Sequence, residues 1–336
     1  MSLDLPLIWA LLIAVAVFAY VALDGFDLGV GILFPAVHGG EERDIMVNSV
    51  APVWDGNETW LVLGGGGLFA VFPLAYAILL PALYVPLTTM LLALIFRGVA
   101  FEMRFRARNP RERLRWDRSF MGGSYVAAFA QGVALGAFVQ GIKVSGRAYG
   151  GGWWDWLSPF SVMTGLALVA GYGLLGACWL IWKTEGALQD RFRVLAGRLA
   201  WTTLGFIGAV SLAMLVFSPP FRQRWLTLPD GAGAVLVPLA LLGLAWLFFS
   251  ALKRGREIRP FLCALGFFLL AYVGLGISLW PMMAPPTLTI QAAAAPPATQ
   301  AFLLWGAAPL LVLILGYTSY VYWLFRGKVH AGVGYH

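Results

Sequence analysis

Apolar residues fall into nine long runs separated by short polar stretches, and the length of those runs decides the fold class. The runs cover roughly 7–33, 58–77, 79–101, 119–142, 158–182, 200–218, 232–252, 260–282 and 301–325. A helix needs roughly 20 predominantly apolar residues to cross a hydrocarbon core of about 30 Å. Each run therefore predicts one transmembrane helix, and together they predict an all-α integral membrane protein in which residues 1–336 form a single polytopic domain. Between the second and third runs the only punctuation is Phe72-Pro73 and Pro81, which predicts a tight hairpin of two helices.

Composition strengthens this reading. Charged residues make up 12% of the chain, against about 25% in an ordinary soluble domain, while apolar residues make up 60%. The 15 Trp, 23 Phe and 11 Tyr suit aromatic belts at the two membrane boundaries. Residues 1–6 hold no Lys or Arg and include Asp4, unlike the basic start of a signal peptide, so the first helix is expected to stay attached. Cys178 and Cys263 lie inside apolar runs and read as small buried residues, with no disulfide framework.

The net charge of +7 could hint at nucleic acid in a soluble protein, but here it reports membrane orientation. Of the 23 Lys and Arg, 18 lie in alternate loops: Arg43, seven arginines in 102–118, and further groups after the fifth, seventh and ninth runs. The opposite loops hold only Lys143, Arg147, Arg222 and Arg224, and Arg97 stands alone within a run. The positive-inside rule then places the N-terminus outside and the C-terminus in the cytoplasm.

That orientation gathers the unusual acids at one surface. Asp24 and Asp27 lie in the cytoplasmic half of the first run, and the stretch Trp54-Asp55-Gly56-Asn57-Glu58-Thr59-Trp60 opens the second from the cytoplasmic side. Each acidic pair is spaced by three, so on a helix its members share a face. Carboxylates at such depth are costly and usually face a bundle interior or a water path. Asp55, Glu58, Asp24 and Asp27 are therefore candidate proton carriers, with helix capping as the plainer reading. Arg97 either snorkels to the inner surface or pairs with a carboxylate there, in this chain or a partner's, and Glu102 and Arg106 have the spacing of an ordinary helix ion pair.

The 40 glycines read as small residues for close helix packing, including the run Gly64 to Gly67, which no Lys-Ser/Thr follows. The three histidines, His38, His330 and His336, all fall in cytoplasmic loops or the tail. Haem iron is commonly held by His, and no paired metal-ligand spacing occurs, so the chain is expected to ligate no metal or haem itself. No Ser-His-Asp set is arranged for nucleophilic catalysis.

These motifs also carry a family resemblance. Asp24-Gly25-Phe26-Asp27-Leu28-Gly29-Val30-Gly31, Asn48-Ser49-Val50-Ala51-Pro52 and Trp54-Asp55-Gly56-Asn57 open it. Phe96-Arg97, Phe101-Glu102, Gly132-Val133-Ala134-Leu135-Gly136 and Gln140-Gly141 continue it, followed by Gly176-Ala177-Cys178-Trp179-Leu180 and Lys183-Thr184-Glu185-Gly186. Pro285-Pro286-Thr287-Leu288-Thr289-Ile290, Tyr317-Thr318 and Tyr322 to Val329 close it. Over almost its full length the chain resembles subunit II of the cytochrome bd-type quinol oxidases, including the cyanide-insensitive branch.

The resemblance implies a multi-pass protein of the bacterial inner (cytoplasmic) membrane, with two four-helix bundles and one peripheral helix. It implies a terminal respiratory oxidase that oxidises quinol and reduces oxygen to water. Its haems, b-type and d-type or a b-type substitute, are held by a partner, subunit I. A small single-helix subunit, membrane lipid and a structural quinone are further associates that it allows; nucleic acid is not among them. Subunit II would complete the heterodimer and contribute to a cytoplasmic proton path. Asp55 takes the family's proton-path position, Asp24 and Asp27 match the second acidic motif, and Gly56 and Asn57 belong to the first. Trp54 and Trp60 line the path or pack on a neighbouring helix. Two other readings compete: a proton-coupled secondary transporter, for which internal repeats between the halves are missing, and a purely structural subunit of the same oxidase.

Overall fold

The computed structural model describes residues 4–227, 232–330 and 332. The chain forms α1 (Leu5–Ile32), α2 (Gly40–Val50), α3 (Trp54–Val71), α4 (Pro73–Ala82), α5 (Tyr84–Phe105), α6 (Pro110–Gln140) and α7 (Pro159–Lys183). After these come α8 (Gly186–Phe217), α9 (Pro219–Leu226), α10 (Ala232–Lys253), α11 (Ile258–Leu279), α12 (Ile290–Ala293) and α13 (Pro297–Leu324). Two small antiparallel hairpins close the end opposite the basic loops, β1 (Val144–Ser145) with β2 (Ala148–Tyr149) and β3 (Met282–Ala284) with β4 (Leu288–Thr289).

Local chemistry sets the helix starts. Asp4 accepts from Leu7 N–H at α1, Asn109 accepts from Glu112 N–H at α6, and Ser158 and Ser161 form a reciprocal capping box at α7. Proline follows directly at positions 110 and 159, where its missing N–H costs nothing.

Among the described residues, eight helices are long and apolar enough to cross a membrane: α1, α5, α6, α7, α8, α10, α11 and α13. The expected second helix over 58–77 is instead two. Pro73 cannot donate to the turn before it, so α3 stops at Val71 and α4 begins anew at Pro73. The expected tight hairpin is likewise replaced by a wider arrangement in which α4 intervenes between α3 and α5. Those two helices run antiparallel and meet at their basic ends through long side chains, Glu58 with Arg97 and Trp54 with Phe101.

The centre of the molecule is α1, α6 and α7. From Asp24 to Ile32 every residue of α1 is buried, and it lies against α7 closely enough that a Cβ on Gly29 would run into the Tyr172 carbonyl oxygen. The Gly64 to Gly67 run is split between two tasks. Gly64 and Gly67 sit beside Val17 and Ile13 of α1, whereas Gly65 and Gly66 meet nothing and are exposed. Only Gln300 of α13 is buried among its described residues, and Phe302, Trp305 and Tyr317 stand out from it. Apolar surface of this extent is fit for lipid or another membrane chain.

The basic end is more ordered than a set of loops. Arg104, expected in a loop, is on α5 and buried, with Nε 2.6 Å from Asp117 and Nη1 2.5 Å from Asp44. Arg43 reaches Asp117 at 3.0 Å, and Arg113 pairs with Asp44. Beside this network the segment after α13 is strapped onto the α7–α8 link. Val329 N–H donates to the Lys183 carbonyl (2.9 Å), Lys328 pairs with Glu257 (2.6 Å) and His330 faces Glu185 (3.0 Å).

Hydrogen bonds from Lys328 and then Gln189 hold the Glu257 carboxyl below its ordinary value of 4.5. A depressed carboxyl contributes stability above its unfolded value and loses it as pH falls through the folded one. The strap should therefore persist at neutral pH and loosen only below 4.5. Hydrogen exchange of residues 325–330 checks this; unchanged protection in Glu257→Gln at neutral pH would contradict it.

Candidate functional site

Three of the four acids singled out in the sequence converge on one guanidinium. Asp24 and Asp27 project from the buried half of α1, and Arg97 comes from the second half of α5, all three fully buried. Arg97 Nη1 lies 2.5 Å from Glu58 Oε1, and Nη2 lies 3.4 Å from Asp24 and 3.8 Å from Asp27. Arg97 thus pairs within the bundle rather than snorkelling. Gly123 of α6 allows it: a Cβ there would stand 2.7 Å from the Ala93 carbonyl oxygen and 3.0 Å from Arg97 Cβ. Trp54 and Phe101 stack on each other at 4.9 Å, and the guanidinium lies 5.4 and 5.0 Å from their ring centroids. Such faces favour a desolvated cation.

Asn57 fixes Asp27. Its Nδ2 donates to Asp27 Oδ2 at 2.7 Å, while its Oδ1 accepts from the Tyr322 hydroxyl at 2.8 Å, tying α3 to α1 and α13. Trp60 is buried in a small cluster with Ala16 and Tyr20. Glu102 pairs with Arg106 at 3.7 Å on the exposed surface, away from the cluster.

Asp55 and Glu58 separate despite their spacing. The inward face of α3 carries Asn57, Trp60 and Gly64, and its outward face carries Asp55, Gly56, Thr59 and Val62. Glu58 sits at the border, with its side chain 26% exposed, and Asp55 is exposed and pairs with no basic group among the described residues. The order from surface to interior is therefore Asp55, Glu58, Arg97, then Asp24 and Asp27.

A second polar string extends from the same cluster. The Tyr172 hydroxyl donates to Gln131 Oε1 (2.7 Å), and Gln131 Nε2 donates to the Tyr20 oxygen (2.6 Å), one turn of α1 from Asp24. These three were missed in the sequence. The available signals were Gln131, an amide inside an apolar run, and the i,i+4 spacing of Tyr20 and Asp24.

One cation faces three carboxyls, so charge balance is reached when protons sit on two of them. Such a group can accept a proton at Glu58 and hold it deep in the bundle. Among the described residues no group of three or more His, Cys, Asp and Glu is arranged to hold a metal ion. His38 and His330 are exposed on loops at the basic end, and His336 lies outside the described residues.

Among the described residues, eight membrane-length helices and a buried carboxylate–guanidinium cluster define a multi-pass membrane protein that holds charge inside its bundle. The chain belongs to the cytochrome bd terminal oxidase subunit II family, whose profile matches residues 5–325. It is 30% identical over 361 residues to the cytochrome bd-I ubiquinol oxidase subunit 2 of Escherichia coli K12, covering 97% of this chain and 95% of that one. It is 29% identical to the probable cytochrome oxidase subunit 2 of Haemophilus influenzae, covering 97% and 96%. The cytochrome bd ubiquinol oxidase subunit 2 of Bacillus subtilis is 31% identical over 242 residues, covering 70% and 68%. The bd oxidase structure from Geobacillus thermodenitrificans shares the fold, with a TM-score of 0.76 at 20% identity over 97% of this chain and all of that one. Membership places the chain in an oxidoreductase complex that works with haems and quinol and has a partner subunit I.

Proposed function

We propose that this chain is the haem-free subunit of its oxidase and carries protons from the cytoplasm towards the oxygen-reducing haem of subunit I. The observation that carries the reading is the cluster of Asp24, Asp27 and Glu58 around Arg97, in which Glu58 is the one of the four side chains that is partly exposed. The basic loops put this mouth on the cytoplasmic side. Oxygen reduction at a buried haem consumes protons, and bare charges do not cross a dry interior unaided. The haems supply the redox chemistry in the complex; the work of this chain is to hold and pass protons. The exposed loop histidines support assigning haem ligation to the partner.

Asp55 has a place in this route. An unpaired carboxylate on the outward face of a membrane helix is poorly suited to lipid. It suits a wet seam with another membrane chain, and α3, α5 and the outlying α13 present the apolar surface for such a partner. Asp55 then collects protons at the seam and Glu58, one turn on, takes them inward. Asp55→Asn is expected to slow quinol-driven oxygen consumption while the haem spectrum stays intact. Full turnover of that variant at neutral pH would remove Asp55 from the route.

A further inference from the structure

At the basic end a cavity of about 260 Å³ opens between the α2–α3 link, the last turn of α7 and the segment after α13. Asn48, Ser49, Trp179, Lys183, Tyr322 and Lys328 form much of its wall. Its chemistry is unbalanced towards donors and positive charge. Lys183 is 3% exposed, yet its partners are neutral: the carbonyl oxygens of Phe325 (2.5 Å) and Gly327 (3.3 Å) and the rings of Trp179 and Trp182. Among the described residues no carboxylate pairs with it. An ammonium has three donors, so one remains. Lys328 pairs with Glu257 and donates to the Thr184 carbonyl, which leaves two cations against one carboxylate around the cavity.

Trp179 and Lys183 are four apart on α7 and so share a face, and the ammonium lies 4.9 Å from the centre of the Trp179 ring. The ring walls the ammonium off from the bundle interior without neutralising it. An ammonium with a spare donor and no counter-ion, beside a second ammonium at the same cavity, calls for an anion with several oxygens.

We propose that this cavity binds a phosphate group at the cytoplasmic surface, from either an inner-leaflet phospholipid headgroup or a soluble phosphate. The bound group accepts from Lys183 and Lys328 and clasps the C-terminal segment to α7. It lies against Tyr322, whose hydroxyl is one hydrogen bond from Asn57 and two from Asp27.

The test uses the purified oxidase complex, stripped of lipid in a non-ionic detergent. One arm is titrated with inorganic phosphate and the other with dihexanoyl phosphatidylglycerol, each matched with chloride for ionic strength. Ligand bound only by the folded state raises the unfolding midpoint with concentration. A saturable rise is expected. If only the lipid produces it, the headgroup is the source; if free phosphate does, a soluble anion suffices. Lys328→Gln should require about fivefold more ligand for the same rise, the worth of one ammonium near an anionic headgroup. Lys253→Gln, at the same end but outside the cavity, should match the unaltered protein. No rise in either arm, or an identical titration in Lys328→Gln, would overturn the site.

Discussion

Replacing Arg97 with methionine should abolish quinol-driven oxygen consumption and sharply lower the amount of assembled oxidase. Asp24, Asp27 and Glu58 share this one cation, and the first two are fully buried. Removing one side of a buried ion pair costs about 3–5 kcal/mol, because it strands the opposite charge. That is a large part of the roughly 5–15 kcal/mol by which a folded domain is stable. Arg97→Lys should recover part of the assembly and little of the activity. A single ammonium carries the charge but cannot match the guanidinium fork that reaches Glu58 with one nitrogen and the aspartates with the other. Haem content and unfolding midpoint measure assembly, and oxygen consumption per haem measures activity. Arg97→Met with an unaltered midpoint would show that the acids need no counter-ion.

Glu58→Gln should leave assembly nearly intact and slow turnover by about 10²-fold, a loss typical of removing a positioned proton carrier. The glutamine keeps the shape and can still accept from Arg97 through its carbonyl oxygen, but it cannot carry a proton. Glu58→Asp should fall between the two, because the shorter carboxyl lengthens its 2.5 Å contact with Arg97. The measurements are oxygen consumption, the reduced-minus-oxidised haem spectrum and the KM for quinol. An unchanged spectrum and KM with lowered turnover places the defect in proton delivery. Full turnover in Glu58→Gln would route protons elsewhere.

Much of this architecture was legible in the pattern of apolar runs because a membrane span advertises itself by length alone. Five of the nine expected runs match single described helices within a few residues at both ends, those of α1, α7, α10, α11 and α13. By contrast α6 and α8 begin well before their apolar runs, at Pro110 and Gly186, because their first turns are polar. At the second run Phe72-Pro73 is visible as punctuation, but apolar sequence continues past it and hydropathy does not register a missing N–H, so the pattern sets the break at 77–79 and not at Pro73. The convergence of Asp24, Asp27 and Glu58 was anticipated from their common level, and Arg97 as their partner was one of two readings. The split between Asp55 and Glu58 was not legible. Three-residue spacing puts both side chains on one side of the helix but about 60° apart, and the packing of Asn57 and Trp60 decides which of the two acids turns inward. Arg104 and Asp117 were hidden for a related reason: in a stretch with seven arginines, one buried pair looks like any other loop charge.

The central claim is that protons reach the oxygen chemistry through Glu58 and the aspartates behind it. Time-resolved proton uptake tests it most directly. Fully reduced oxidase is mixed with oxygen in the presence of a pH-indicating dye, while haem oxidation is followed in the same sample. The account predicts that Glu58→Gln and Asp24→Asn keep the first, proton-independent electron transfer to oxygen and lose the fast phase of proton uptake. Uptake as fast as in the unaltered enzyme, with the cluster neutralised in this way, would contradict it.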